Sequence, residues 1–185
     1  LAETRTQVVF GVGDPNADLM FVGEAPGLNE DKQGEPFVGA AGQLLNRLLN
    51  EIGLSREDVY IANVIKCRPP GNRDPQTDEI ESCKGYLRGQ ISMIDPNVVV
   101  TLGNFATKLL LRTETGITRL RGRTYPWWQG RLLIPTFHPA AALRSQNRLI
   151  AEMQRDFSLV RDALSVPRQA PPVPAREPAQ MDLFS

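Results

Sequence analysis

The turn Gly23-Glu24-Ala25-Pro26-Gly27, an asparagine at 63 and the chain's single histidine at 138 are residue types from which a small polar site can be built. Backbone amides of a tight turn can cradle an oxyanion, and a carboxylate can orient a water. A carboxamide can donate and accept at once, and a neutral imidazole can donate from one nitrogen while accepting at the other. Each also has a plainer reading: a turn leaving a strand, a loop cap, a satisfied structural histidine. The only two cysteines, Cys67 and Cys83, flank the stretch RPPGNRDPQTDEIES. By residue type they are a disulfide, part of a metal site, or two unrelated buried thiols. Without a secretory leader a disulfide has weak grounds, and two cysteines with one distant histidine make a poor zinc set.

The elements around these residues suggest that they meet. Residues 17–24 (ADLMFVGE), 58–65 (DVYIANVI), 97–103 (NVVVTLG) and 131–139 (RLLIPTFHP) are apolar runs of strand length bounded by turn residues. Between them lie helical patterns. Leu44, Leu45, Leu48, Leu49 and Ile52 line one face of a helix over 40–52, with Gly53 as its stop. Asp78 and Glu81 resemble a capping box before a face of Ile80, Leu87, Ile91 and Ile94. A short helix over 104–111 and a last one over 147–164, with Ile150, Met153, Phe157 and Val160 on one side, complete the series.

Alternating strands and helices predict an α/β three-layer sandwich with a four-stranded parallel sheet between helices. In such sheets ligands bind outside the carboxyl ends of the strands. Glu24, Asn63 and His138 all fall at those ends.

Lysine plus arginine (21) balance aspartate plus glutamate (21), so any nucleic-acid role needs a local basic rim rather than net charge. No apolar run is long enough to span a membrane, and no leader opens the chain, so a cytoplasmic monomer is expected. Residues 1–164 read as one domain. Residues 165–185 form a proline-rich tail that cannot build a core, yet it ends QMDLFS with Leu183 and Phe184 adjacent.

The runs VGEAPGLNEDKQGEPFVGAAGQLLNRLL, VYIANVIKCRPPGNRDP and FHPAAALR, in this order, resemble the family 4 uracil-DNA glycosylases, the type that carries an iron–sulfur cluster. The resemblance implies an enzyme that flips uracil out of DNA and hydrolyses its N-glycosidic bond, starting base excision repair. It implies a ring of Phe37 stacked on the base, with Gly23 and Ala25 in the pocket wall. Asn63 reads the O4 and N3 edge, and His138 stabilises charge on O2. Glu24 either positions the water or supports the loop, since family 1 has an aspartate where Ala25 stands. Gly27 stands where family 1 has a tyrosine against thymine's methyl group, and Glu30 is the expected replacement barrier.

DNA contacts are expected from Lys66, Arg68, Asn72, Arg73, Arg144 and Arg148, with Leu143 as the wedge in the vacated stack. Arg119, Arg121 and Arg123 read as a second groove edge or, slightly preferred, a solvated hairpin. The resemblance further implies that Cys67 and Cys83 are two ligands of a [4Fe-4S] cluster whose other pair is expected just upstream of Leu1. Gln180, Leu183 and Phe184 resemble peptides that dock on the polymerase sliding clamp. A nucleoid-associated enzyme acting on single- or double-stranded uracil-DNA is the expectation. The alternatives are a related mismatch or hypoxanthine glycosylase, or a non-catalytic cluster-bearing DNA-binding module.

Overall fold

The computed structural model describes residues 1–168, so the clamp-like residues Gln180, Leu183 and Phe184 lie outside the described residues. In chain order the elements are β1 (Val12–Gly13), β2 (Leu19–Gly23), α1 (Leu28–Gln33), α2 (Ala40–Glu51), β3 (Tyr60–Asn63), α3 (Thr77–Ile94), β4 (Val98–Leu102), α4 (Asn104–Leu111), α5 (Ile117–Leu120), β5 (Tyr125–Trp127), β6 (Arg131–Thr136), α6 (Pro139–Arg144) and α7 (Ile150–Leu164). The sheet runs β1-β3-β2-β4-β6-β5. Its four inner strands are parallel, with Gly23 beside Asn63, Val22 beside Thr101 and Leu102 beside Thr136. These are the four strands expected from the sequence.

Two short edge strands pair antiparallel, Val12 with Ile61 and Tyr125 with Leu133, making six strands rather than four. A two-residue strand and a three-residue one containing Pro126 are too short to show a period of two, so no sequence pattern announced them. The last helix begins at Ile150 rather than at 147, and a further short helix, α6, precedes it in a stretch read as the end of a strand and a loop. The capping box of α3 is formed by Gln76 and Glu79, two residues earlier than expected.

Successive side chains of β2 point to opposite faces, and both faces are buried. Leu19 and Phe21 join Leu44, Leu45, Leu48 and Leu49 of α2 and Met153, Phe157 and Val160 of α7 in one core. Met20 and Val22 join Leu87 and Ile91 of α3, Ala106 and Leu110 of α4 and the two tryptophans in the other. The sheet is thus the middle of three layers. Among the described residues no helix is long and apolar enough to cross a membrane.

Arg121 corrects the reading of the 119–123 stretch as solvated or groove-facing. Its guanidinium turns inward, donating to Asp156 Oδ1 and Oδ2 at 2.6 and 2.9 Å and to Glu152 at 2.8 Å. Thr136, at the end of β6, donates to the same Asp156 at 2.6 Å. Burial pushes the Asp156 carboxyl up, while Arg121 and Thr136 pull it back. Only 1% of the Asp156 side chain is exposed, so Arg121→Ala leaves a buried carboxylate without its counter-charge, with Thr136 as its remaining donor. That substitution is expected to cost about 3 kcal/mol of unfolding free energy in urea titrations. Arg121→Met combined with Asp156→Leu should recover much of the loss.

Candidate active site

Outside the carboxyl ends of the inner strands, loops after β2, β3 and β6 close around a pocket of about 260 Å³. The volume lies just below the roughly 300–1,000 Å³ of pockets that take drug-sized ligands, and it suits one small planar ring. Asn63, the last residue of β3, lies in this wall with only 2% of its surface exposed. Its Oδ1 is buried and has no hydrogen-bond partner. Buried polar atoms are nearly always paired, so an orphan acceptor in a pocket wall marks a place for a donor that arrives with a ligand.

Gly23 explains how the amide gets there. A Cβ at this position would stand 2.4 Å from Asn63 Oδ1 and 2.7 Å from the Phe37 ring, so only glycine lets both close over the strand end. Phe37 itself is buried, and its ring lies 5.5 Å from that of His138 at an interplanar angle of 30°. Its φ of +54° is unusual for a bulky side chain.

His138 caps the N-terminus of α6, its Nδ1 accepting the Ala140 N–H at 3.1 Å. The neutral ring therefore carries its proton on Nε2, a donor. Burial first, and the charge of Arg144 second, hold the histidine pKa down at about 4, so the ring is neutral at physiological pH. Gly103, at φ +95°, makes room behind it, since a Cβ there would approach the histidine Cβ to 2.9 Å.

Glu24 and Ala25 line the same pocket. Burial, with the nearby charge of Asp74 second, raises the Glu24 carboxyl above its ordinary range. Glu30 also reaches the wall, but as a clasp: its two carboxylate oxygens accept the N–H groups of Gly27 and Val38, each at 3.1 Å. Asn72 and Arg73 complete the rim. Asn72 accepts from Arg68 Nε at 2.7 Å. The fork of Arg73 is held by Glu79 at 2.6 and 2.9 Å, which limits how freely it can meet a phosphate. That pairing drops Glu79 to about 2.

Lys66 is not a rim cation. Only 2% of it is exposed, and its Nζ donates to the Asn63 carbonyl at 2.7 Å and to Gln90 Oε1 at 2.5 Å. Desolvation lowers its pKa to about 7. The error has a physical source: a lysine after a strand reads as exposed unless its partner is known, and Gln90 lies a helix away. On the rim proper, Arg144 and Arg148 are exposed, and Leu143 on α6 is 37% exposed.

A second cavity of about 460 Å³ opens beneath the N-terminal arm, with Cys67 and Cys83 both in its wall beside Leu1, Phe10 and Tyr86. Both cysteines are free, and Arg5 donates to Cys67 Sγ at 3.0 Å. Among the described residues no group of three or more His, Cys, Asp or Glu is placed to hold a metal ion. The two thiols share one cavity wall.

Sequence reasoning missed Arg56. It lies in a 3-10 turn (Arg56–Asp58) that reads as an ordinary solvated connection, yet its guanidinium reaches the carbonyls of Pro36 and Phe37. Nothing local in SREDV signals that partnership.

A family model described as the uracil DNA glycosylase superfamily matches residues 10–164. Type-4 uracil-DNA glycosylases are similar over most of the chain. That of Sulfurisphaera tokodaii is 48% identical over 177 residues, covering 91% of this chain and 80% of its own. That of Saccharolobus solfataricus is 48% identical over 169 residues, covering 87% and 78%. That of Archaeoglobus fulgidus is 48% identical over 167 residues, covering 86% and 83%.

Proposed function

The chain belongs to the uracil DNA glycosylase superfamily, and from that premise we propose that the pocket of Asn63, Phe37 and His138 receives a uracil flipped from DNA. The protein is a hydrolytic uracil-DNA glycosylase. Water adds to C1′ as the bond to N1 breaks, leaving an abasic sugar and free uracil. The observation that carries the pocket assignment is the orphan amide oxygen of Asn63. A carboxamide there accepts from N3–H and donates to O4, the pattern uracil presents and cytosine reverses.

Charge that develops on O2 as the base departs is met by the His138 Nε2–H. The ring's other nitrogen is already committed to Ala140, so its orientation is set before substrate arrives. Backbone N–H groups of the 23–27 turn assist. Phe37 covers the face of the base. Glu24 orients the attacking water. The clasped carboxylate of Glu30 stands on the wall as the barrier to a thymine methyl group, fixed in place by its two backbone donors. Arg144, Arg148 and Arg68 meet phosphates, and Leu143 fills the vacated stack.

Cys67 and Cys83 are two ligands of an iron–sulfur cluster on this reading, supported by their shared cavity wall. When bound, such a cluster supplies a thiolate-held crosslink between the loop after β3 and α3.

The deciding assay is release of free uracil from single-stranded and duplex oligonucleotides, beside thymine and hypoxanthine controls. Uracil alone should be released by the wild type, and Glu30→Ala should gain measurable thymine release. Absence of uracil release removes the reading, and absence of thymine release from Glu30→Ala removes the barrier.

A further inference from the structure

Resting on the stacking of uracil against Phe37 described above, we infer that Arg56 is a positioning residue of the base pocket, acting through the backbone of Phe37. Arg56 does not line the pocket. What it does is hold the peptide that aims the ring.

Phe37 sits at φ +54°, a conformation that a bulky residue keeps only when its surroundings impose it. Two neighbours impose it. Arg56 Nη1 donates to the Phe37 carbonyl at 3.0 Å and lies 3.4 Å from Asn46 Oδ1, while Nη2 donates to the Pro36 carbonyl. One planar fork thus ties two successive carbonyls, which the single ammonium of a lysine does not match. From the other side Gly42, in the first turns of α2, lies so close that a Cβ would fall 1.7 Å from the Phe37 oxygen. The carbonyl is wedged between helix and guanidinium, and the ring is turned toward Gly23 and His138.

Arg56 is half-buried, and desolvation lowers its pKa from the usual arginine value, opposed by the charges of Glu35 and Glu30. It remains a cation throughout the working pH range, so its role is geometric. Without it the Phe37 peptide can relax toward negative φ, which swings the ring off the base. Misplacement of a reacting partner by about 1 Å can cost about 100-fold in rate.

The test is a double-mutant cycle of Arg56→Ala and Phe37→Ala on the full chain, read as kcat/KM for uracil release from a single-stranded oligonucleotide. Circular dichroism and thermal melts run alongside. Arg56→Ala should lower kcat/KM about 10- to 100-fold in the wild type but less than about threefold when Phe37 is already alanine. KM for DNA should change little, because the phosphate contacts are untouched. Should Arg56→Ala fail to fold, Arg56→Lys is read in the same cycle, with a smaller loss that again vanishes without Phe37. Equal losses in both backgrounds, or no loss in a folded Arg56→Ala protein, overturn the role of Arg56 while leaving uracil excision standing. Absence of uracil release by the wild type removes both.

Discussion

Asn63→Ala is expected to lower kcat/KM for uracil excision by about 10³-fold while leaving the fold intact, because a site built to hydrogen-bond its substrate loses most when that bond is removed. The effect is large because the amide is already desolvated: only 2% of Asn63 is exposed and its Oδ1 is unpaired. The empty protein has met part of the desolvation cost in advance, so a matching base collects the full strength of the bond. Excision kinetics on a single-stranded oligonucleotide measure the loss, and a denaturation curve separates it from unfolding. The truncated side chain removes a buried unsatisfied acceptor, so stability should not fall by more than about 1 kcal/mol. A loss of activity that merely tracks a loss of folded protein would refute the assignment.

His138→Ala should cost about 10²- to 10³-fold in kcat, the range seen when one donor to a developing anion is deleted. Its pH signature is more informative than its size. The ring titrates at about 4 in the folded protein, against an ordinary value of 6.5. The wild-type rate should therefore show no inflection near 6.5. The acid limb should instead follow the raised carboxyl of Glu24, activity falling as that group protonates, and Glu24→Gln should abolish the limb. Stability carries the complementary sign. The unfolded chain takes up a proton at 138 near pH 6.5 and the folded chain only near 4. The contribution of the neutral ring is therefore present above 6.5 and is withdrawn as pH falls between those values. A rate profile with a histidine-like inflection that disappears in His138→Ala would show that the imidazolium, not the imidazole, is the working form.

The four inner strands were legible because a strand buried on both faces is an unbroken apolar run, and LMFVG and VVVTL are such runs. Helix α2 was legible because four leucines repeat at helical spacing. The site was partly legible for the same reason: once the strands are placed, Glu24, Asn63 and His138 must lie at one edge, and the pocket does contain all three. What remained hidden depends on distant partners. Lys66 looks like a surface cation until Gln90 of α3 is folded against it. Arg121 looks solvated until Asp156 of α7 arrives. Arg56 matters through a carbonyl oxygen, which no side-chain pattern encodes.

Helix α6 has a consequence for how the DNA is treated. His138 caps its start and Leu143 stands near its end, so the spacing between the histidine proposed to meet the departing base and the leucine proposed to fill the gap is set by one short helix. At about 1.5 Å per residue the five steps from 138 to 143 span about 7.5 Å along the helix. On the proposed roles of these two residues, the duplex is expected to bend to the protein rather than the protein to the duplex. Deformation work would then fall on the nucleic acid, and such work depends on the steps flanking the flipped base. Excision from flexible or mismatched contexts is then expected to outpace excision from stiff ones, which kinetics on duplexes differing only in the steps that flank the uracil would measure.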